Sequence, residues 1–324
     1  MSSLSEIQAA AARIAGHTRK TPLLSSPFLD QIAGRPIFVK PECLQHSGSF
    51  KFRGAWSAIS NLSMDQRRAG VIAFSSGNHA QGVAMAAAHH NCSAIIVMPS
   101  DAPEIKRTNT QALGAEVVLY DRETEDREAV TAALNPDGAR TLIAPFNNHD
   151  VIAGQGTIGL EIAVQSAELG IDSASVLIPC GGGGLTSGVA LALEQHPGLT
   201  VHPVEPEGFD DVARSLVSGK PEINQRLSGS ICDAILTPSP GELTFPILNR
   251  LCSEGIVIPE EDCLRAMALA FERLRIVIEP GGAIALAAAL FHPDKIAGDT
   301  VIAVASGGNV GAEMFTQALK NMKA

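Results

Sequence analysis

The amino-acid sequence predicts a two-lobed α/β protein whose sheets are mostly parallel and flanked by helices. Short apolar runs typical of buried strands alternate with helix-length segments along most of the chain. Strands separated by helices of that length form parallel βαβ units. The 324 residues exceed what one hydrophobic core usually spans. We therefore expect a small lobe at residues 70–147 and a larger lobe made of residues 1–69 and 148–324.

The first 147 residues contain the clearest alternation. Ser3, with Glu6 three residues later, is a capping-box pattern that opens an amphipathic helix as far as Ile14. A strand at 36–40 is followed by a turn and a helix at 54–62. In the small lobe, predicted strands at 71–74, 94–98, 116–119 and 141–144 alternate with helices at 80–90, 104–113 and 124–134.

The remainder of the chain repeats this pattern. Strands are predicted at 174–179, 200–204 and 300–305, and helices at 151–169, 185–193, 260–273, 282–290 and 310–321. Residues 219–254 are rich in glycine and proline, which predicts an irregular connection.

Composition and charge narrow the class of protein. Hydrophobic residues make up 45% and charged residues 18% of the chain, which is typical of a globular enzyme. The net charge of -10 without a basic stretch argues against a nucleic-acid partner. The longest apolar run, 283–291, is far shorter than the ~20 residues of a membrane span. With no secretory signal pattern and six scattered cysteines without a CxxC pair, we expect a cytoplasmic protein with free thiols.

A lysine stands at the junction between the strand at 36–40 and the helix that follows. Ser47, Gly48 and Ser49 are turn residues and candidates for the N-cap, which places Lys51 in the first helical turn. The positive end of the helix and burial would both lower the pKa of this lysine and favour a neutral, nucleophilic amine. An exposed lysine at a helix start would have the same local sequence.

Three further loops, rich in glycine or serine, each follow a predicted strand and precede a predicted helix. Gly181 to Gly184 suit an anion, because consecutive glycines let backbone N–H groups close on it. The loop lacks the third glycine of a dinucleotide site and the lysine of a P-loop, which leaves a small phosphorylated cofactor or simply a tight turn. Residues 75–79 suit a carboxylate at a helix N-terminus, whereas 306–309 alone would be an ordinary helix cap.

Four carboxylates lie within residues 205–211. Oxygen ligands clustered in this way suit a hard cation such as Mg²⁺ or Ca²⁺. A solvated acidic turn explains the segment equally well.

The Ser49-Phe50-Lys51 segment and the three loops together resemble the fold-type II pyridoxal-phosphate (PLP) enzymes, specifically the serine/threonine dehydratase and serine racemase family. The resemblance extends from about Thr21 to near the C-terminus. It implies a tryptophan synthase β-like fold and PLP held by Lys51 as a Schiff base. The cofactor-binding residues it implies are Phe50, Lys51, Asn78, Gly181, Gly182, Gly183, Gly184, Glu279 and Ser306.

The same resemblance implies roles at the substrate. Ser75, Ser76, Gly77, Asn78 and His79 would hold the substrate carboxylate. Lys51 would remove the Cα proton, and Ser76, as in serine racemases, could return a proton from the opposite face. His79 is equally well explained as a structural histidine, and Glu279 as part of a Gly/Pro-rich helix start.

A divalent ion is also implied at the acidic segment. Its ligands would be Glu205, the carbonyl of Phe209 and Asp211, and the metal would be Mg²⁺, Ca²⁺ or Mn²⁺. Relatives are commonly homodimers, so a homodimer is expected here.

The leading functional prediction is a threonine/serine ammonia-lyase that eliminates water and yields a 2-oxo acid and ammonia. One alternative is a 3-hydroxyaspartate dehydratase, which needs a further cation for the second carboxylate: Arg53, Arg127 or an arginine of residues 219–254. A serine racemase relying on Ser76 is another. A non-catalytic amino-acid-binding protein on this fold would be expected to have lost Lys51.

Overall fold

Two parallel sheets organise the chain. The computed structural model describes residues 2–321 apart from residues 76, 103, 122 and 227. In chain order the strands are β1 (Leu24–Ser25), β2 (Ile37–Pro41), β3 (Val71–Phe74), β4 (Ala94–Pro99), β5 (Glu116–Tyr120), β6 (Thr141–Leu142), β7 (Ala174–Pro179), β8 (Leu199–Pro206), β9 (Ile256–Ile258) and β10 (Val301–Ala305).

Helices connect and cover these strands. They are α1 (Leu4–Ile14), α2 (Pro27–Ala33), α3 (Lys51–Ser60), α4 (Met64–Ala69), α5 (Asn78–His89), α6 (Glu104–Ala112), α7 (Arg127–Ala133), α8 (His149–Glu168), α9 (Gly184–Leu193), α10 (Asp211–Ser218), α11 (Phe245–Leu251), α12 (Glu261–Leu274), α13 (Pro280–Phe291) and α14 (Ala312–Asn321). Within the described ranges, no helix combines the length and apolar character needed to cross a membrane.

The larger sheet has the strand order β1-β2-β10-β7-β8-β9, and only the β1–β2 pair is antiparallel. The smaller sheet, β5-β4-β3-β6, is parallel throughout and lies within the segment predicted as the small lobe. The predicted α/β class with parallel sheets is therefore confirmed, whereas the lobe boundaries stay a prediction. Because the strands of each sheet run in parallel, their carboxyl ends meet at one edge, where ligands bind in such folds.

Most predicted elements are present with boundaries shifted by a few residues. The α1 cap is as expected, since Ser3 Oγ accepts from the backbone N–H of Glu6 at 3.4 Å. The prediction for residues 219–254 is wrong in part, because Phe245–Leu251 forms α11 against α9. Pro246 lies in the first turn of that helix, where a missing N–H costs nothing.

The core is rich in alanine and branched aliphatic residues. Helix α13 is buried from Pro280 to Leu290, which accounts for the longest apolar run in the sequence. All six cysteines are free thiols, and five of them are buried, as the sequence predicted.

Candidate active site

A cavity with about 1000 Å³ of empty space, part of it open to solvent, lies between the two sheets at their carboxyl edges. The segments after β2, β3, β7 and β10 all contribute to its wall. Thus the four sequence motifs, far apart in the chain, meet at one place. The predicted site residues that line it are Phe50, Lys51, Ser75, Gly77, Asn78, His79, Gly181, Gly182, Gly183, Gly184 and Ser306.

Lys51 occupies the first turn of α3, as predicted, and its ammonium group reaches the cavity. Its Nζ donates to the carbonyl of Pro145 at 3.0 Å and lies 5.1 Å from the centroid of the Phe50 ring. Burial lowers the pKa of Lys51 to about 8. A substantial fraction of the amine is therefore neutral near physiological pH and able to act as a nucleophile or base.

The predicted serine N-cap of this helix is wrong. Phe50 stands at the N-cap without a side-chain hydrogen bond, and residues His46–Gly48 form a 3-10 turn. Ser49 is extended and pairs with Gly307, and the Phe50 N–H donates to the Ser306 carbonyl at 3.0 Å. Tertiary pairing with the end of β10, not local capping, fixes the start of α3.

The four glycines form the junction between β7 and α9. Gly183 is in the left-handed region with φ +87°, and a Cβ added to Gly182 would lie 2.5 Å from the ring of Phe146. Backbone is thus the only group that fits here, and α9 begins with its N–H groups at the cavity. This arrangement fits a phosphate group without leaving room for side chains.

Ser306 follows β10 directly, and its largely buried side chain lines the cavity. Strand β10 lies between β2 and β7, so Ser306 stands between Lys51 and the glycine loop in the order of the sheet. Its hydroxyl can donate to or accept from a ring nitrogen of a bound cofactor.

The loop after β3 leads into α5, which begins at Asn78. The backbone N–H of Gly77 donates to Ser75 Oγ at 3.2 Å, while Asn78 is bonded to Glu279 and to Asn309. Ser76 lies outside the described residues, so its racemase-like role stays a prediction.

His79 is held by the protein. Its Nε2 lies 2.7 Å from the carbonyl of Ile143, to which a neutral ring donates. Burial and the neighbouring Lys51 charge lower the pKa of His79 to about 3. The ring is therefore neutral, as expected for the structural interpretation of this histidine.

Glu279 is buried beside Asn78, and burial raises the pKa of its carboxyl group. Asn78 thus links the carboxyl edge of the smaller sheet to Glu279, the N-cap residue of α13.

The sequence predicts only some of the charged side chains that line the cavity. Arg127, one of three candidates for a second carboxylate, lines the cavity with its Cζ 4.8 Å from the centroid of Phe74. Lys106 and Asp233 also line it and form an ion pair at 3.3 Å, and sequence patterns gave no signal for either.

Arg53 does not face the cavity, which corrects that candidate assignment. It is fully buried and bonded to Glu42 and Glu161. In the 219–254 region, Arg226 stacks on Phe209 and Arg250 pairs with Glu194, and neither lines the cavity.

The predicted metal ligands lie at the start of α10. Glu205 accepts from the backbone N–H groups of Val212 and Ala213, and Asp211 Oδ1 accepts from Asn224 at 2.6 Å. Burial raises the pKa of Glu205 well above its usual value and that of Asp211 to about 7. Asp211 Oδ2 is buried and has no hydrogen-bond partner in the described structure, which fits a missing cation.

The described residues contain no group of three or more His, Cys, Asp or Glu side chains able to hold a metal ion. The predicted set has two carboxylates and the carbonyl of Phe209, so it stays a prediction.

The fold and this site define a class: an α/β protein in which a buried lysine and four consecutive glycines line the same cavity. Comparisons with known proteins agree. Residues 14–307 match the family model described as pyridoxal-phosphate dependent enzyme. The chain belongs to this family, and its cofactor is pyridoxal phosphate.

Individual relatives resemble nearly the whole chain. L-threo-3-hydroxyaspartate ammonia-lyase from Pseudomonas sp is 39% identical over 321 residues, 99% of each chain. Serine racemase from Oryza sativa subsp. indica is 38% identical, covering 97% of this chain and 92% of that protein. The crystal structure of a threonine deaminase from T.th. has a TM-score of 0.89 and 43% identity, covering 95% of this chain and 99% of that one.

Proposed function

We propose that this protein eliminates water from a β-hydroxy amino acid and releases a 2-oxo acid and ammonia. The observation that carries the proposal is Lys51, whose ammonium group faces the cavity with a pKa lowered by burial. Bound PLP supplies an electron sink for the charge that develops at Cα. The relatives named as ammonia-lyases support the same reaction class.

Each motif has a part in this proposal. Lys51 binds the cofactor and, when free, takes the Cα proton as a base. The glycine loop and the N-terminus of α9 hold the phosphate, and the loop after β3 orients the substrate carboxylate at the start of α5. Ser306 would hold the pyridine nitrogen, Phe50 would lie beside the ring, and Asn78, bonded to Glu279, would hold the ring oxygen.

We further propose 3-hydroxyaspartate as the preferred substrate. The glycine loop and the loop after β3 account for the phosphate and the first carboxylate. Arg127 also lines the cavity, as does Lys106, whose charge is shared with Asp233. Cations in a partly buried site favour a second carboxylate on the substrate. L-Threonine and L-serine are the second candidate, supported by the threonine deaminase structure.

Steady-state rates of 2-oxo acid release from both 3-hydroxyaspartate diastereomers, L-serine and L-threonine test this proposal. Arg127→Gln should lower kcat/KM for 3-hydroxyaspartate by roughly 10- to 100-fold, the worth of a charged hydrogen bond, and change that for serine far less. Arg107→Gln is the matched control, because Arg107 bonds to the Ser100 carbonyl and does not line the cavity. Faster turnover of threonine or serine by the unaltered enzyme would move the assignment to the second candidate.

Organisation of the enzyme completes the proposal. We propose that the protein is a cytoplasmic homodimer. In each protomer, residues 70–147 form a small lobe that closes on the substrate. A divalent ion is bound by Glu205, the Phe209 carbonyl and Asp211. Light scattering with the purified protein tests the dimer.

A further inference from the structure

Arg53 stands two residues after Lys51 on α3, but on the side of the helix that faces away from the cavity. Its guanidinium is fully buried and makes six hydrogen bonds. Two reach Glu42 at 2.8 Å each, and two reach Glu161 at 2.7 and 3.1 Å. The other two reach Thr157 and the Arg19 carbonyl.

Lys40 completes a cluster of four charged groups, three of them buried and one partly exposed, which we call the Arg53 cluster: Lys40, Glu42, Arg53 and Glu161. Lys40 Nζ donates to Glu161 at 2.6 Å and also to the Thr21 carbonyl and Gln165. Glu42 accepts a further bond from Thr21 Oγ1 at 2.7 Å. Burial alone would raise the pKa of Glu42, but Arg53, Lys40 and Thr21 together outweigh it and the pKa lies below its usual value. The cluster is balanced, with two positive and two negative groups.

The cluster joins the three elements that surround Lys51. Arg53 belongs to α3, Lys40 and Glu42 to β2 and the turn after it, and Glu161 to α8. Strand β2 pairs with β10 up to Pro41↔Ala305, one residue before Ser306. Helix α8 follows the Pro145–Phe146 segment, whose Pro145 carbonyl accepts from Lys51.

The backbones of α3 and α8 pack closely, which restricts movement of α3. A Cβ added to Gly154 on α8 would lie 2.6 Å from the Arg53 carbonyl and 2.7 Å from the Cα of Gly54. Helix α3 therefore lies directly on α8, and the Arg53 cluster sets its rotation about its own axis.

We propose that Arg53 is a positioning residue: by binding Glu42 and Glu161 it fixes the first turn of α3 and so directs the Lys51 amine into the cavity. A buried charge cluster contributes little net stability compared with a well-packed apolar replacement. What this one supplies is a fixed geometry, because a six-bonded planar guanidinium allows one orientation.

The test separates placement of Lys51 from stability of the fold. Arg53→Lys keeps the charge and loses the planar fork. Arg53→Met combined with Glu42→Gln leaves the cluster neutral, with the Lys40–Glu161 pair intact. Arg35→Met is the matched control, since Arg35 bonds three backbone carbonyls and precedes the amino end of β2, opposite the carboxyl edge where the cavity lies.

Two quantities are measured on each folded variant. The first is the pH dependence of Lys51 labelling by acetic anhydride in cofactor-free protein, read by mass spectrometry. The second is kcat against KM for the holoenzyme. The ionisable groups that face Lys51 from the other cavity walls are His79, Lys106, Arg127 and Asp233, and all four are unchanged in these variants.

Both Arg53 variants should move the labelling midpoint of Lys51 upward by about one pH unit and lower kcat by roughly 10- to 100-fold with KM little changed. Arg35→Met should lower only the unfolding temperature. If neither Arg53 variant folds, Glu161→Gln is used instead, because the Glu161 side chain is partly exposed. It should move the labelling midpoint of Lys51 in the same direction by a smaller amount. An unchanged midpoint and kcat in the folded variants overturn the proposal and leave the cluster a purely structural role.

Discussion

At the scale of single residues, the proposed chemistry depends on Lys51. Burial rather than a neighbouring charge lowers its pKa to about 8. The neutral fraction of the Lys51 amine increases as pH rises. Its reaction with an amine reagent in the cofactor-free protein should therefore increase through pH 8 and then level off. A midpoint above pH 10 would mean that the amine is exposed in solution.

Lys51→Ala should abolish both turnover and the yellow colour of the purified protein, since the covalent link to the cofactor is lost. Absorbance spectra of the purified variant check this, and Lys220→Ala, at an exposed position, is the control. A full-strength yellow band in the Lys51→Ala protein would show that another residue holds the cofactor.

At the scale of secondary-structure elements, the β7–α9 junction is proposed to bind the cofactor phosphate through its backbone. Gly182→Ala places a methyl group 2.5 Å from the ring of Phe146, so either the ring or the loop must move. We expect cofactor affinity to fall by about tenfold or more, with partial recovery when Phe146→Ala is added. Fluorescence titration with PLP measures this.

The control for that experiment is Gly311→Ala. Among the residues that the structure describes, and apart from its two chain neighbours, nothing lies within 4 Å of a Cβ added there, and its φ is not positive. Equal loss of cofactor affinity in this variant would contradict the steric explanation.

The start of α10 gives a prediction with a defined sign. Asp211 and Glu205 have raised pKa values because they are buried, so the folded protein holds their protons more tightly than the unfolded chain does. Their ionisation therefore destabilises the fold as pH rises from about 4 to about 7. A bound cation offsets this loss of stability only when the two carboxyl groups are ionised.

Mg²⁺ should accordingly raise the unfolding temperature by a few degrees at pH 8 and much less at pH 5.5. Calorimetry with Mg²⁺ and with chelator at both pH values measures the effect, and Asp211→Asn should remove it. The same stabilisation in that variant would place the ion elsewhere.

At the scale of the whole molecule, two electrostatic fields would act in opposite directions on the proposed substrate, which carries two carboxylates and one ammonium group. The net charge of -10 repels it, whereas Lys106 and Arg127 attract it at the cavity. Salt screens charges over about 10 Å at 0.1 M and about 3 Å at 1 M.

If the two cations decide affinity, KM for 3-hydroxyaspartate should rise as salt is added, and KM for serine should rise less. A KM for 3-hydroxyaspartate that falls with salt would show that the overall charge dominates. Initial rates at several NaCl concentrations distinguish these outcomes.

Sequence periodicity was sufficient for most strands and the longer helices, because buried strands and amphipathic helices leave a local pattern. It failed at α11, whose proline-rich start is typical of a loop, and at the cap of α3. Both depend on contacts made by residues distant in sequence.

The sequence by itself determined the α/β class, the position of Lys51 at a helix start and the position of the glycine run between a strand and a helix. These features can be recognised from the sequence because glycine runs and strand-to-helix junctions each involve only a few consecutive residues. Only the tertiary structure decided which cations face the cavity. Arg53 and Arg127 are equally charged in the sequence, but helix packing buries the first against Glu42 and Glu161 and leaves the second on the cavity wall.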